Sequence, residues 1–500
     1  MTNSPPSVPE GPDRDSQQHA DGDLTRRIIR SSAWVGLGWG GGQLIAFAST
    51  LALARLLTPA EFGAVALAMI LLFALQALQE SGAGSALVYG NYDLRVAAAS
   101  VLVFTSLAGV ALAVVTLLVA PLYAQIFHLP EATEIVRVLS LVLVFRGLMV
   151  VPNALLERDL NFRARTKSEL AFNGVQAIVA VSCAFAGLGA WSLVAGQLSG
   201  SAVQLVVLWL LVPWRPDPRA ASWQQLRPML RYGRYVAGAN VTNFVNSTVD
   251  NMLVGRIVGA AALGLYAAAW RLAEIPNVVI GFIVGRVMFA VYSRIQDDLA
   301  AVRQHYLANI QRTVLLALPL TVGMGIAAEP IVAALLGQQW QGAVLPLRIL
   351  AVFGFVRLIT APSGDLLRGT GRSALGFAGS TLFLVLAVSF LLVLVPRHGT
   401  AGAATAMVIA IVLTDSVMMT LVFRTVQLRP LDFLRALARP MLPSIPVALT
   451  LLALVPATSD ANPLLALGLL LLGGGIAYCV GVALFARPLA IPIWAALRRA

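Results

Sequence analysis

Long stretches of this chain are unsuited to water. Val96 to Phe127 and Ala190 to Val212 carry no charged side chain, and each exceeds the ~20 residues a helix needs to cross a bilayer. Hydrocarbon offers no water to pair backbone N–H and C=O groups, so a spanning segment is either a helix or part of a closed barrel. Barrel strands read as alternating segments of about ten residues, not as solid apolar runs. The sequence therefore reads as an all-α polytopic membrane protein. Of its 500 residues, 58% are hydrophobic and 12% charged, against roughly 45–50% and 25% in soluble domains.

About fourteen spans are expected, near 33–54, 62–82, 96–120, 135–156, 169–187, 190–212, 236–255, 262–285, 313–336, 346–367, 374–395, 400–423, 441–457 and 463–486. Pro276, Pro319 and Pro362 fall inside them and predict kinks, which membrane helices tolerate when neighbours satisfy the freed backbone groups. The net charge of +12 comes mainly from Arg in the short connections, so it reads as an orientation signal and not as a nucleic-acid surface. One set of connections holds Arg26, Arg27, Arg30, Arg95, Arg158, Arg163, Arg165, Lys167 and most later arginines; the other holds Arg55, Arg137, Arg256, Arg348 and Arg397. Both termini are accordingly expected in the cytoplasm. Residues 1–25 read as a disordered tail with no cleavable signal peptide. Stretches 216–234 and 293–311 read as amphipathic helices on the membrane surface. Cys183 and Cys479 sit in apolar runs and are expected to be buried small hydrophobes. No metal-ligand spacing is present and no cofactor is implied.

The segment "LARLLTPAEFG" at 53–63 is echoed by "VGRIVGAAALG" at 254–264, with Arg55 and Gly63 answering Arg256 and Gly264 at an offset of 201. Pro121 answers Pro330 at 209, while Pro152, Arg158 and Gly189 answer Pro362, Arg368 and Gly399 at 210. Spans one to six thus resemble spans seven to twelve. An even number of spans per copy makes this a parallel repeat, a layout known among secondary transporters. The expected organisation is a tail over 1–25 and a six-helix bundle over 26–212. An amphipathic cytoplasmic linker over 213–235 and a second six-helix bundle over 236–430 follow. Two extra spans and a short cytoplasmic tail occupy 431–500. Two pseudo-symmetric bundles of this kind would enclose a central cavity.

"ARLLTPAEFG", "GAGSALV" and "RGLMVVPNALLERDLNFRARTKSE" resemble bacterial oligosaccharide flippases of the polysaccharide transporter family, within the multidrug/oligosaccharidyl-lipid/polysaccharide exporter superfamily. The likeness covers roughly residues 26 to 430. It implies two six-helix bundles around a cationic cavity that passes lipid-linked sugars between leaflets of the inner membrane. The two C-terminal helices fit relatives with fourteen spans.

A charge inside a span is costly and is a functional hypothesis by default. Asn240, Asn243, Ser247 and Asp250 recur at spacings of three and four, which stacks them on one helix face. Arg271 and Glu274 share a face of the next span. One reading makes these a cavity wall, with Arg271 attracting a diphosphate or acidic sugar while Asp250 or Glu274 releases it or takes up a coupling ion. The other makes them a packing network in which Arg271 pairs with Glu274 or Asp250. Arg146 and Arg357 fall mid-span near repeat-equivalent positions. They would either clamp a pyrophosphate through bidentate hydrogen bonds or pair structurally, Arg357 with Asp365. Arg55 and Arg256 would either snorkel to headgroups or contact an outer gate. Glu80 is a further ion-coupling candidate, and Asp415 would be solvated near a cytoplasmic end.

The leading expectation is a flippase for polyprenyl-diphosphate-linked oligosaccharides in exopolysaccharide, capsule or O-antigen assembly, surrounded by membrane lipids and working beside a polysaccharide polymerase. Coupling to H+ or Na+ is expected, because no G-x-x-x-x-G-K-[ST] phosphate loop occurs. The alternatives are an ion-coupled multidrug exporter of the same superfamily and a membrane polymerase. Such exporters often carry a carboxylate in the first span, yet Trp34 to Ala54 has none. A polymerase would need a large external loop with catalytic groups, whereas the external connections here are short; His128 and His398 stand at their edges without evident partners. A non-enzyme is expected.

Overall fold

A computed structural model describes residues 38, 40–79, 82–90, 92–278, 280, 292, 294–295 and 298–489. Expectations for the tail over 1–25 and for Glu80 lie outside them. Every regular element among the described residues is helical. After α1, residues 40–56, the first half comprises α2 (Pro59–Gln79), α3 (Ala83–Tyr89), α4 (Leu94–Ile126), α5 (Ala132–Leu139), α6 (Leu141–Arg158), α7 (Phe162–Phe185) and α8 (Ala190–Leu211). The second half comprises α9 (Trp223–Ile257), α10 (Ala260–Ala273), α11 (Leu299–Ile326), α12 (Ala328–Leu335), α13 (Val344–Gly369) and α14 (Ser373–Val426). The chain closes with α15 (Pro430–Met441), α16 (Ser444–Ala457) and α17 (Pro463–Gly481).

The chain is an all-α polytopic membrane protein. Among the described residues nine helices are long and apolar enough to cross a membrane, or ten if α15 and α16, bent by 47°, form one span. The expected count of about fourteen is not reached by that measure, for identifiable reasons. α14 counts once although Gly399 breaks it, α10 is only 14 residues long, and α9 carries too many polar side chains.

Contacts group the chain into two compact units. Unit 1 gathers the described residues of Met1–Thr50 with Leu75–Leu117 and Val138–Asn240; unit 2 gathers Leu51–Ala74, Leu118–Arg137 and the described residues of Val241–Ala500. Residues 51–74 and 118–137, from the first half of the sequence, therefore pack with the second half. In unit 1 the core joins Leu87, Val101, Leu155, Ala164 and Leu208. Of the expected surface helix at 216–234, residues 223–234 are instead the start of α9, continuous with the seventh span. Leu226 and Met229 enter the unit 1 core, and Trp223 and Tyr232 point outward. That is the amphipathic pattern the sequence carries, fused to a span.

α7 and α8 form a hairpin whose close approach depends on a small residue. A Cβ on Gly196 would stand 2.7 Å from Ala180 Cβ and 2.8 Å from the Gln176 carbonyl oxygen. Between the same helices Gln176 Nε2 donates to Gln197 Oε1 at 3.1 Å. Small residues and interhelical amide bonds hold helices together where lipid gives no hydrophobic preference for protein. The hairpin turns at Gly189 with φ 54° and ψ −132°. Its repeat partner Gly399, inside α14, has φ 55° and ψ −133°. A side chain rarely adopts that backbone, so glycine recurs where each copy turns.

Leucines of the last two helices, including Leu449, Leu452, Leu464, Leu471 and Leu472, are exposed, as expected of lipid-facing positions. Cys479 is exposed with them and Cys183 is half-buried, so neither is the fully buried hydrophobe expected. Burial from water in a membrane comes from lipid as well as from protein, which hydropathy alone does not separate.

Gly196→Val should destabilise the protein by about 1–3 kcal/mol through overpacking, read as a lower midpoint of thermal unfolding in detergent. Gly174→Ala on α7, where a Cβ meets nothing within 4 Å, should leave that midpoint unchanged or slightly raised.

Candidate functional site

The motif around Thr58 builds a helix start. Glu61 Oε2 accepts from Thr58 N at 2.7 Å, and Thr58 Oγ1 accepts from Glu61 N at 3.3 Å. This is a reciprocal capping box, with Pro59 at the first helical position, where its missing N–H costs nothing. Gly63 lies one turn further in. A Cβ there would overlap the Ala260 carbonyl oxygen on α10, and a Cβ on Gly264 would overlap the Pro59 carbonyl oxygen on α2. The two repeat-equivalent helix starts cross each other, each glycine admitting the other's backbone.

Neighbouring helix ends in unit 2 interlock in the same way. The last carbonyls of a helix have no partner within it. Ala54 O accepts from Trp340 Nε1 at 2.7 Å and from Gln339 Nε2 at 2.8 Å, and Leu57 O accepts from Gln339 Nε2 at 3.0 Å. In return Arg55 Nη2 donates to Ala334 O at 2.6 Å, near the end of α12. Trp340 is buried, edge-on to Phe62 at 5.3 Å. Arg256 Nη1 donates to His128 Nδ1 at 3.1 Å, so His128 has the partner that the sequence did not reveal. Each arginine thus has a protein acceptor bridging distant parts of the chain.

The polar stripe on α9 divides. Asn243 and Ser247 are exposed, Asn240 is half-exposed, and Asp250 is 1% exposed. Asp250 Oδ2 accepts from Tyr266 Oη at 2.9 Å, and its Oδ1 accepts from Asn251 N at 2.8 Å. Arg271 is exposed. Glu274 pairs with Arg357 at 3.2 Å across two helices, which corrects the pairing of Arg357 with Asp365 expected from the sequence. Arg357 and Asp365 lie eight residues apart on α13, about 12 Å along a helix axis, and Asp365 is held by Arg368 at 2.6 Å. Asp415 is likewise not simply solvated, since its Oδ2 accepts from Thr360 Oγ1 at 2.7 Å. The Glu274–Arg357 pair is half-exposed, so an anion with better-placed oxygens can compete for the guanidinium.

Unit 1 holds a cavity of about 310 Å³. One face of α6, with Arg146, Met149, Val150, Asn153, Ala154 and Glu157, forms a wall. Arg165 and Glu169 from α7, Gln76 and Gln79 from α2, Ser85 from α3, Gln204 from α8 and Asn240 from α9 complete the polar lining. Arg165 bridges two carboxylates, at 3.5 Å to Glu157 and 3.2 Å to Glu169. Of the expected site residues the cavity collects Arg146 and Asn240. Asn243, Ser247, Asp250, Arg271, Glu274, Arg357, Arg55 and Arg256 belong to unit 2. Sequence reasoning missed Asn153, Glu157, Arg165, Glu169 and Gln204. The signal was present: positions 146, 149, 150, 153, 154 and 157 follow the three-and-four rhythm of one helix face. In the sequence Arg165 reads instead as one of the charges of a connection.

Among the described residues no group of three His, Cys, Asp or Glu side chains is placed to hold a metal. The succinoglycan biosynthesis transport protein ExoT of Rhizobium meliloti (strain 1021) is 28% identical over 352 residues, covering 70% of this chain and 71% of that one. The teichuronic acid biosynthesis protein TuaB of Bacillus subtilis (strain 168) is 22% identical over 356 residues, covering 71% and 74%. Among solved structures, the inward closed conformation of the lipid II flippase MurJ superposes with a TM-score of 0.74 at 15% identity, over 91% of this chain and 99% of that one. At that identity the likeness establishes the fold. The polysaccharide biosynthesis protein family matches residues 52–345, more than half of the chain, and the protein belongs to that family.

Proposed function

We propose that the protein is a flippase that moves polyprenyl-diphosphate-linked oligosaccharide units from the cytoplasmic to the outer leaflet of the bacterial inner membrane, for polysaccharide assembly. The observation that carries this reading is the reciprocal crossing at Gly63 and Gly264. It joins repeat-equivalent helix starts by direct backbone contact within unit 2, as suits a transporter built from two copies of one repeat, and this crossing loosens and re-forms as access alternates. Membership of the family and the transport role in ExoT's name support the class of cargo. No reaction is catalysed; a polymerase acts on the delivered unit.

Both termini face the cytoplasm, so the end bearing Arg55 and Arg256 faces outward, and these two arginines hold the outer gate through Ala334 O and His128. Exposed Arg271, and Arg357 in its openable pair with Glu274, attract the diphosphate. Asn243 and Ser247 offer hydrogen bonds to sugar hydroxyls. A proton or sodium gradient drives the cycle through carboxylates such as Asp250 or Glu274. Cargo and ion act by binding the inward and outward states with different affinity.

A leaflet-protection assay tests this in liposomes carrying the purified protein and a short polyprenyl-diphosphate oligosaccharide. Wild type should expose the sugar to an external glycan-modifying probe, faster under an imposed ion gradient. Arg271→Ala and Arg357→Ala should each slow flipping about ten- to a hundredfold, the equivalent of one charge-assisted hydrogen bond in the rate-limiting state. No exposure by wild type across several glycan types, with gradient-driven drug efflux in its place, would overturn the reading in favour of a multidrug exporter.

A second expected outcome concerns the buried carboxylate. Tyr266→Phe removes the donor to Asp250 Oδ2 and should cost about 1–3 kcal/mol, seen as a lower unfolding midpoint. Tyr232→Phe, at an exposed position on α9, should leave that midpoint unchanged.

A further inference from the structure

We infer that the cavity of unit 1 is a saccharide-binding subsite that takes one uncharged sugar ring through its amides and the Arg165 bridge. The inference rests on the flippase reading and adds where part of the cargo's head is held.

Three features select the ligand. The first is charge. Arg146 and Arg165 are balanced by Glu157 and Glu169, and Arg165 is already committed to both carboxylates. A diphosphate seeks an excess of guanidinium donors, and this wall does not supply one. The second is hydrogen-bonding character. Asn153, Gln204 and Asn240 line the cavity from three helices, and each amide carries both donors and acceptors, matching hydroxyls that also do both. Asn153 Nδ2 gives one N–H to Met149 O at 3.0 Å, which leaves its second N–H and its carbonyl oxygen for a ligand. Gln204 is 8% exposed, and its Oε1 has no hydrogen-bond partner among the described residues. A buried acceptor without a donor is costly. Rotation about the broad terminal torsion of the side chain brings that oxygen to a sugar hydroxyl. An apolar ligand would leave it unpaired.

The third feature is size. A volume of about 310 Å³ lies at the small end of ligand pockets. That accommodates one pyranose ring, with any further sugars of a repeat unit extending outside the cavity. The segment from Arg146 to Glu169 supplies eight of the lining residues, six from α6 and two from α7. This part of the family-like motif therefore presents chemistry to a cavity as well as building a helix hairpin.

The test is photo-crosslinking of the full-length protein in nanodiscs with diazirine-bearing glucose and N-acetylglucosamine, followed by peptide mapping. Labelling should fall within 146–169, be displaced by the free sugar and not by inorganic pyrophosphate, and drop at least tenfold in Gln204→Leu and Asn153→Leu. If either variant unfolds, the near-isosteric Gln204→Met carries the comparison. Labelling elsewhere, labelling unchanged in the variants, or displacement by pyrophosphate alone would each overturn the subsite. The parent reading fails separately: wild type that flips no lipid-linked sugar refutes the flippase even where labelling at 146–169 persists. Wild type that flips while the cavity takes no label refutes the subsite alone.

Discussion

In hydrocarbon an apolar helix gains nothing by exchanging lipid for another apolar helix, so association depends on close packing and on pairing polar groups that lipid cannot satisfy. That constraint governs the contacts that matter most here. Gly196 lets α8 settle on the backbone of α7, and the Gln176–Gln197 amide bond reinforces the same crossing. Helix ends, with carbonyls that no intrahelical donor reaches, are completed from other helices: Ala54 and Leu57 by Gln339 and Trp340, Ala334 by Arg55. An amide, an indole and a guanidinium replace the water that would cap these ends on a soluble protein.

The crossing of α2 and α10 gives the sequence repeat a mechanical meaning. Gly63 admits the backbone of Ala260, and Gly264 admits the backbone of Pro59. Each contact is the counterpart of the other, as at an isologous interface between identical subunits, although both copies lie in one chain. The capping box of Thr58 and Glu61 fixes the first turn of α2 at the crossing. A Cβ at either glycine would collide with the facing carbonyl oxygen and hold the two helix starts apart.

Much of this was legible in the sequence. Apolar runs dictated helices, and Gly189 and Gly399, matched in the sequence as repeat landmarks, share one backbone conformation. Pairing was less legible. Arg357 was matched with Asp365 because both lie in one span, but helix geometry separates them, and the partner, Glu274, comes from another helix. His128 looked solitary because Arg256 is 128 residues away. The cavity of unit 1 was hidden for a different reason. Glu157 and Arg165 flank a connection, where charge is ordinarily read as orientation, yet α6 and α7 carry them back onto one wall. Long-range partners are set by tertiary packing, which one-dimensional spacing does not encode.

The most direct test of the account is the distance across the α2–α10 crossing during transport. Spin labels at Ala60→Cys and Ala261→Cys, exposed positions beside the two glycines, can be followed by pulsed dipolar spectroscopy in nanodiscs. The account predicts a short distance in the resting protein and a second, longer population that grows when lipid-linked oligosaccharide and an ion gradient are supplied. A single short distance that never changes while the labelled protein flips its cargo at full rate would contradict it.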